Sequence, residues 1–149
     1  LRDTLKDCEA EGAQHIGKAL AGEVAERFTA LTGSRYGALA MDPNLKVENI
    51  EAGGGPRAVD ALSAGTRDQL ATLLRLAIAE RLGSAIILDD QLVHSDRMKL
   101  EWFHEALSRA ATMIQVVVFT CRREDYESDV LSRGRHEAID LTKKVRRLG

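Results

Sequence analysis

The chain has 149 residues, with 21 Lys and Arg against 23 Asp and Glu and a formal net charge of −2. So close a balance excludes a surface that is a nucleic-acid footprint throughout, while leaving room for a local basic patch. Hydrophobic residues at 44% and charged residues at 30% describe a folding domain rather than a disordered segment. No apolar run approaches the roughly 20 residues of a membrane span. Charges at Arg2, Asp3, Lys6 and Asp7 stand where a signal peptide would be apolar, and the first residue is Leu1, so the chain reads as a segment of a longer protein that is not exported. Cys8 and Cys121 read as a helix face and a buried strand end; they lack the close spacing of a metal knuckle or redox pair, and a reducing, cytoplasmic setting is expected.

From Leu1 to Leu31, small or apolar residues recur at Leu5, Cys8, Gly12, Ile16, Leu20, Val24, Phe28 and Leu31, three or four apart among charged residues. This spacing predicts one long helix packed along a narrow seam, either a coiled-coil stalk or the outermost helix of a domain. Within it, Gly12-Ala13-Gln14-His15-Ile16-Gly17-Lys18-Ala19 has the spacing of a phosphate-binding loop. Ala19 lacks the hydroxyl such a loop needs and no strand precedes Gly12, so the segment reads as helix. Thr32-Gly33-Ser34 ends it.

Tyr36–Met41 and Leu45–Glu51, joined across Asp42-Pro43-Asn44, predict a hairpin, and Gly53-Gly54-Gly55-Pro56 a flexible loop. A helix carrying Leu70, Leu73, Leu74, Ala77 and Ile78 follows. Ala85-Ile86-Ile87-Leu88 then reads as a strand buried on both faces, ending at Asp89-Asp90. Next come a helix over about Arg97–Ala111, with Leu100, Phe103, Leu107 and Ala110 on one side, a second buried strand at Ile114–Thr120, and a last short strand near Ala138–Leu141. Trp102 lies off the apolar side of its helix, as an interface or partly exposed ring. The alternation predicts an α/β fold with a parallel sheet. The tail Lys143-Lys144-Val145-Arg146-Arg147 reads as a solvated terminus that could also meet DNA phosphate.

Carboxylates at the end of a buried strand lie where open parallel sheets bind ligands. Because successive strand residues point to opposite sides, Asp89 and Asp90 can divide the work of hydrolysis, one holding a metal or its water and the other orienting water for attack. The turn Leu62-Ser63-Ala64-Gly65-Thr66 feeds small residues into a helix N-terminus, whose free N–H groups suit a phosphate. Taken alone, Ser63 or Thr66 is equally well a helix cap. His15, His94, His104 and His136 are scattered without ligand spacing.

In order, Leu-Ser-x-Gly-x-x-x-Gln at 62–69, a helix, Ile-Ile-Leu-Asp-Asp at 86–90, His94-Ser95-Asp96 and Val-Val-Phe-Thr-Cys at 117–121 resemble the C-terminal half of an ABC-type ATPase head. The likeness is to the SMC, double-strand-break-repair and RecF/RecN group, and within it to bacterial YhaN-like ATPases. It runs from about Ala61 to Arg123, and Leu1–Leu31 is similar to the end of a returning coiled-coil helix. The resemblance implies a stalk end over residues 1–32 and a C-terminal head lobe over 33–149, the lobe of a P-loop NTPase.

It further implies that Ser63 and Gly65, with Gln69, belong to the signature that reaches the γ-phosphate of ATP held by a second head. Asp89 would stand at the Mg2+ shell, Asp90 in the place of the catalytic carboxylate, and Asp96 as the D-loop acid at the head–head interface. The expected partners are the N-terminal half of the same head, which carries the phosphate loop, a second head in a homodimer, and DNA, with no membrane. The parent is then an ATPase of DNA repair or chromosome maintenance, and this segment alone is inactive.

Three positions depart from that pattern. Arg122 stands where a switch histidine is usual, Asp90 where ABC proteins commonly have the longer Glu, although Asp-Asp is a frequent ending in the SMC-like branch, and Gln91 where proline is usual. Arg122 could stabilise transition-state charge but cannot accept a proton from water, so an ATP-gated dimerisation module with negligible hydrolysis is the alternative. A complete small phosphate-binding domain built on Gly12–Lys18 is a third reading.

Overall fold

The computed structural model describes residues 2–42, 44–90, 95–126 and 137–141, with side chains described from His15 onward. Gln91, His94, His136 and the basic tail at 143–147 lie outside the described residues.

The first element is helix α1, Arg2–Leu31. Gly12–Lys18 lies inside it, where successive amides are committed to helical hydrogen bonds, so the phosphate-loop reading of that segment is overturned. Leu20, Ala21, Val24, Phe28 and Leu31 are buried on one side. The expected stripe shifts at its upper end: Ile16 is 50% exposed, and Gly17 is the residue turned inward, with Leu45 the nearest side chain to where a Cβ would sit, 3.7 Å away. Gly33 takes φ +61°. The Ser34 amide donates to Thr29 O at 2.9 Å and the Gly33 amide to Ala30 O at 3.5 Å, the paired bonds of a Schellman ending.

Strands β1 (Tyr36–Met41), β2 (Val47–Ala52) and β3 (Gly55–Ala58) form an antiparallel sheet in that order. Asp42 shapes the first turn, its Oδ1 accepting from the amides of Asn44 and Lys46 at 2.9 and 2.8 Å. The segment expected to be a flexible loop is instead a second tight turn at Gly53-Gly54 followed by a strand. Gly55, at φ +106°, supplies a backbone that other residues avoid, and Pro56 is tolerated because β3 is an edge strand. Tyr36 stacks on Phe28 with ring centroids 5.3 Å apart, and Thr29 Oγ1 donates to Tyr36 O at 2.8 Å. These contacts clamp the sheet to α1.

After a 3-10 turn at Val59–Ala61 comes α2, Ala64–Leu82, closed by Gly83 at φ +61°. This helix is the wall between two apolar clusters. Leu70, Leu73 and Ala77 pack with Leu20, Val24, Phe28, Leu31, Tyr36, Ile50 and Phe103, whereas Leu76 and Ala79 pack with Ile86, Leu88, Ala106, Leu107, Ala110 and Ile114. Arg27 of α1 meets Glu80 of α2 at 2.7 Å and Glu23 at 2.9 Å, and Arg81 approaches Glu23 at 3.9 Å, so a chain of charges runs along the rim of the helix pair.

Strand β4 (Ile86–Asp89) pairs in parallel with β5 (Val116–Phe119), and α3 (Arg97–Ala110) connects them. One face of the pair, bearing Ile86, Leu88, Val116 and Val118, packs on α2 and α3. The other does not carry the burial expected from the apolar run: Ile87 is 62% and Phe119 45% exposed, because helices cover the pair from one side alone among the described residues. Residues 137–140 form no strand and are exposed, so the expected last strand at Ala138–Leu141 is absent there. Trp102 is half-buried, touches both clusters and meets Phe103 edge-on at 5.5 Å.

Phe28 is fully buried where α1, α2 and the antiparallel sheet meet. Phe28→Ala should cost about 3–5 kcal/mol, read as a fall in the urea midpoint at unchanged slope.

Candidate functional site

The carboxyl ends of β4 and β5 stop level with each other, Asp89 opposite Phe119. Beyond that rung the backbone turns sharply: Asp90 takes φ 43°, a left-handed conformation that aspartate tolerates better than most residues. Asp89 and Asp90 therefore diverge through a turn at residue 90, not through continued strand alternation as expected. The Asp90 amide donates to Phe119 O at 2.9 Å, and its Oδ1 accepts from the Cys121 amide at 3.0 Å. That bond is the first cause holding the Asp90 carboxyl below the usual carboxylate range, followed by a bond from the Cys121 side chain; the Arg122 charge contributes less. The same carboxylate pushes the Cys121 thiol up, keeping it protonated. Cys121 is an exposed free thiol and not the buried strand end expected.

Arg122 follows immediately. Its amide donates to Thr120 Oγ1 at 3.0 Å, and its guanidinium grips Asp125 through Nε at 3.0 Å and a terminal nitrogen at 3.4 Å. Asp125 belongs to a 3-10 turn, Arg123–Tyr126, which folds the chain back after β5. The structure thus brings Asp90 and Arg122 into one loop cluster beside Asp89.

Ser63 is the N-cap of α2. Its hydroxyl accepts from the Thr66 amide at 3.3 Å and shares a hydrogen with the Thr66 hydroxyl at 2.7 Å. With that amide capped, the first-turn amides of Ala64 and Gly65 are the helix's orphan donors. Gln69, one turn on, is only 3% exposed. Its Nε2 donates to Ser95 Oγ at 3.2 Å, tying the start of α2 to the residue before Asp96. Asp96 caps α3, accepting from the Lys99 amide at 3.0 Å and meeting Lys99 Nζ at 3.1 Å; the amide bond is the first cause of its lowered carboxyl value.

Sequence reasoning missed Cys121, Asp125 and Tyr126 as neighbours of the site, and Ser95 as the partner of Gln69. A carboxylate directly before an aromatic, a few residues beyond a strand end, carries no motif. The Gln69–Ser95 bond spans 26 positions with no periodic signal.

The fold is similar to part of solved SMC head domains. A chain from work on ATP-driven dimerization and DNA-stimulated activation of SMC ATPases matches with TM-score 0.58 and 17% identity over 90% of this chain and 91% of that one. An Smc head bound to the C-winged helix domain of ScpA matches with TM-score 0.63 and 17% identity over 80% of this chain. An Smc head with an extended coiled coil, bound to the C-terminal domain of ScpA derived from Pyrococcus furiosus, matches with TM-score 0.58 and 18% identity over 87%. This chain spans 37% of each of the latter two. No protein-family model and no curated protein matches the sequence. Among the described residues no helix is long and apolar enough to cross a membrane.

Asp96→Ala, which removes the α3 cap, should destabilise the chain by about 0.5–2 kcal/mol in urea unfolding. Asp96→Asn keeps the geometry and loses the charge. Because the folded value is depressed, the charge contributes stability above the unfolded carboxylate value of about 3.9 and loses it as pH falls through the folded value. The wild-type advantage over Asp96→Asn should therefore be present near neutrality and vanish in strong acid.

Proposed function

We propose that this chain is the C-terminal half of an SMC-like ATPase head, in which ATP joins two heads and its hydrolysis parts them. The observation that carries the reading is the meeting of Asp89, Asp90 and Arg122 at the carboxyl edge of a parallel strand pair. The half-open face of that pair, with Ile87 and Phe119 exposed, supports a second lobe packing over it. That lobe is the N-terminal half of the same head, and it brings the phosphate loop. The ATP-driven dimerization reported for one structural neighbour agrees with a second copy of the head as the further partner.

The residues present fit a magnesium nucleotide. Carboxylate oxygens are the hard donors that Mg2+ prefers, and Asp89 would hold the ion or its water. When bound, Mg2+ neutralises phosphate charge in the transition state. Asp90, kept ionised by the Cys121 amide, orients a water and accepts its hydrogen bond. Ser63 and the amide of Gly65, at the positive end of a 19-residue helix, would receive the γ-phosphate of ATP held by the other head. Gln69 supports that turn from behind rather than touching nucleotide, and Asp96 stands at the head–head contact. DNA repair or chromosome maintenance is the process assigned, in the cytoplasm, with DNA as a partner of the whole protein.

One observation favours a second reading. The Asp125 carboxylate holds Arg122 with two contacts, and a cation so engaged does not stabilise a transition state. On this reading ATP glues two heads together and turnover is negligible.

This chain alone should bind ATP negligibly, and the complete head should bind it and dimerise. Asp90→Asn in the complete head should lower turnover by about 100-fold or more while ATP-dependent dimers persist in light scattering. Tight ATP binding by this chain on its own overturns the half-head reading. Equal single-turnover rates for the wild type and Asp90→Asn select the dimerisation module.

A further inference from the structure

His104 is buried in α3, 1% exposed, and among the described residues neither of its ring nitrogens has a hydrogen-bond partner. Leaving buried polar atoms unsatisfied costs about 1–3 kcal/mol, so packing alone favours phenylalanine here, and the imidazole calls for another explanation. Its ring lies against Tyr126, centroids 5.2 Å apart and tilted 44°. Tyr126 ends the 3-10 turn in which Asp125 holds Arg122. A buried, unsatisfied imidazole therefore backs the turn that restrains the cation of the candidate site.

The charged and titratable groups acting on this cluster come from each side. Glu101 acts from α3 itself, and Asp125 from the 3-10 turn. Burial outweighs both carboxylates and keeps the imidazole below its ordinary value, hence neutral near pH 7. The Tyr126 hydroxyl is pushed up by burial first, then by Asp125 and by Asp90 at the end of β4, so it too stays protonated.

We propose that His104 is a positioning residue for Arg122, acting through Asp125. While the guanidinium holds the Asp125 carboxylate, the imidazole is neutral. When Arg122 leaves to meet a phosphate, the imidazole takes one proton from solvent and pairs with the carboxylate left behind. The cost of stranding Asp125 is removed, and engagement of Arg122 carries the uptake of a proton. The inference rests on the reading of Arg122 as a phosphate-contacting residue, but its core, the competition of His104 and Arg122 for Asp125, is testable without nucleotide.

The test is an NMR titration of the His104 ring in this chain. Arg122→Gln removes the competing cation, and the imidazole pKa should rise by at least one unit, tenfold in proton affinity. Arg122→Lys, which keeps the charge, should leave it near the wild-type value. Adding Asp125→Asn to Arg122→Gln should cancel the rise. An unchanged His104 titration in Arg122→Gln overturns the proposal, whatever becomes of the ATPase reading. In the complete head, His104→Phe should melt no lower than the wild type and lose the acid-side rise in ATP turnover that proton uptake predicts. A His104→Phe head with the wild-type pH profile also overturns it. A complete head that never binds ATP sinks the ATPase reading and leaves the titration result standing.

Discussion

The in-register parallel pairing of β4 and β5 is the constraint on which the candidate site depends. Because Asp89 and Phe119 share a rung, the chain leaves both strands at one level, and the two exits meet. Asp90 turns left-handed over β5 and takes the Cys121 amide; Arg122 follows one residue later. Slipping the register by one residue would turn Leu88 outward and Ile87 inward, and would separate the Asp90 carboxylate from the amide that keeps it ionised. Burial of Leu88 against α2 and α3 therefore fixes the chemistry at the strand ends.

Helix α2 carries that order to the second set of groups. One of its sides belongs to the cluster with α1 and the antiparallel sheet, and another to the cluster under the parallel pair. Its first turn displays Ser63 and Gly65, and Gln69 reaches from the same end to Ser95. Asp96, next to Ser95, caps α3, and α3 leads to β5, beyond whose end Arg122 lies. The groups proposed to face a second head and those proposed to act on phosphate are thus joined by one buried amide and two helices.

Much of this could be read from residue order. Ser63, Gly65, Asp89 and Asp90 draw notice because each sits at an element boundary, where local chemistry such as capping, glycine turns and strand-ending acids is strong, whereas Asp96 and Arg122 stand out only against the pattern of the family the sequence resembles. Residues governed by tertiary context did not. Gly53-Gly54 looks floppy until Glu51 finds Pro56 across a tight turn. Ile87 looks buried because an apolar run signals a sheet with two covers, while the described residues supply one. His104 looks like an unremarkable helical histidine, since its burial comes from α3 packing and its neighbour Tyr126 lies 22 positions on. Charge partners such as Asp125 depend on a turn that no periodicity marks.

The geometry of α1 has a mechanical consequence. Its 30 residues make a rod of about 45 Å, and the buried residues among its described side chains lie between Gly17 and Leu31, toward its carboxyl end. Its packed carboxyl end is a fulcrum. A sideways load on the rod arrives at that fulcrum as torque, and the surfaces resisting it are the antiparallel sheet, through Tyr36, and α2, through Leu70, Leu73 and Ala77 and the Arg27–Glu80 pair. Force applied far from the strand ends is in this way converted into strain on the helix whose first turn Ser63 caps.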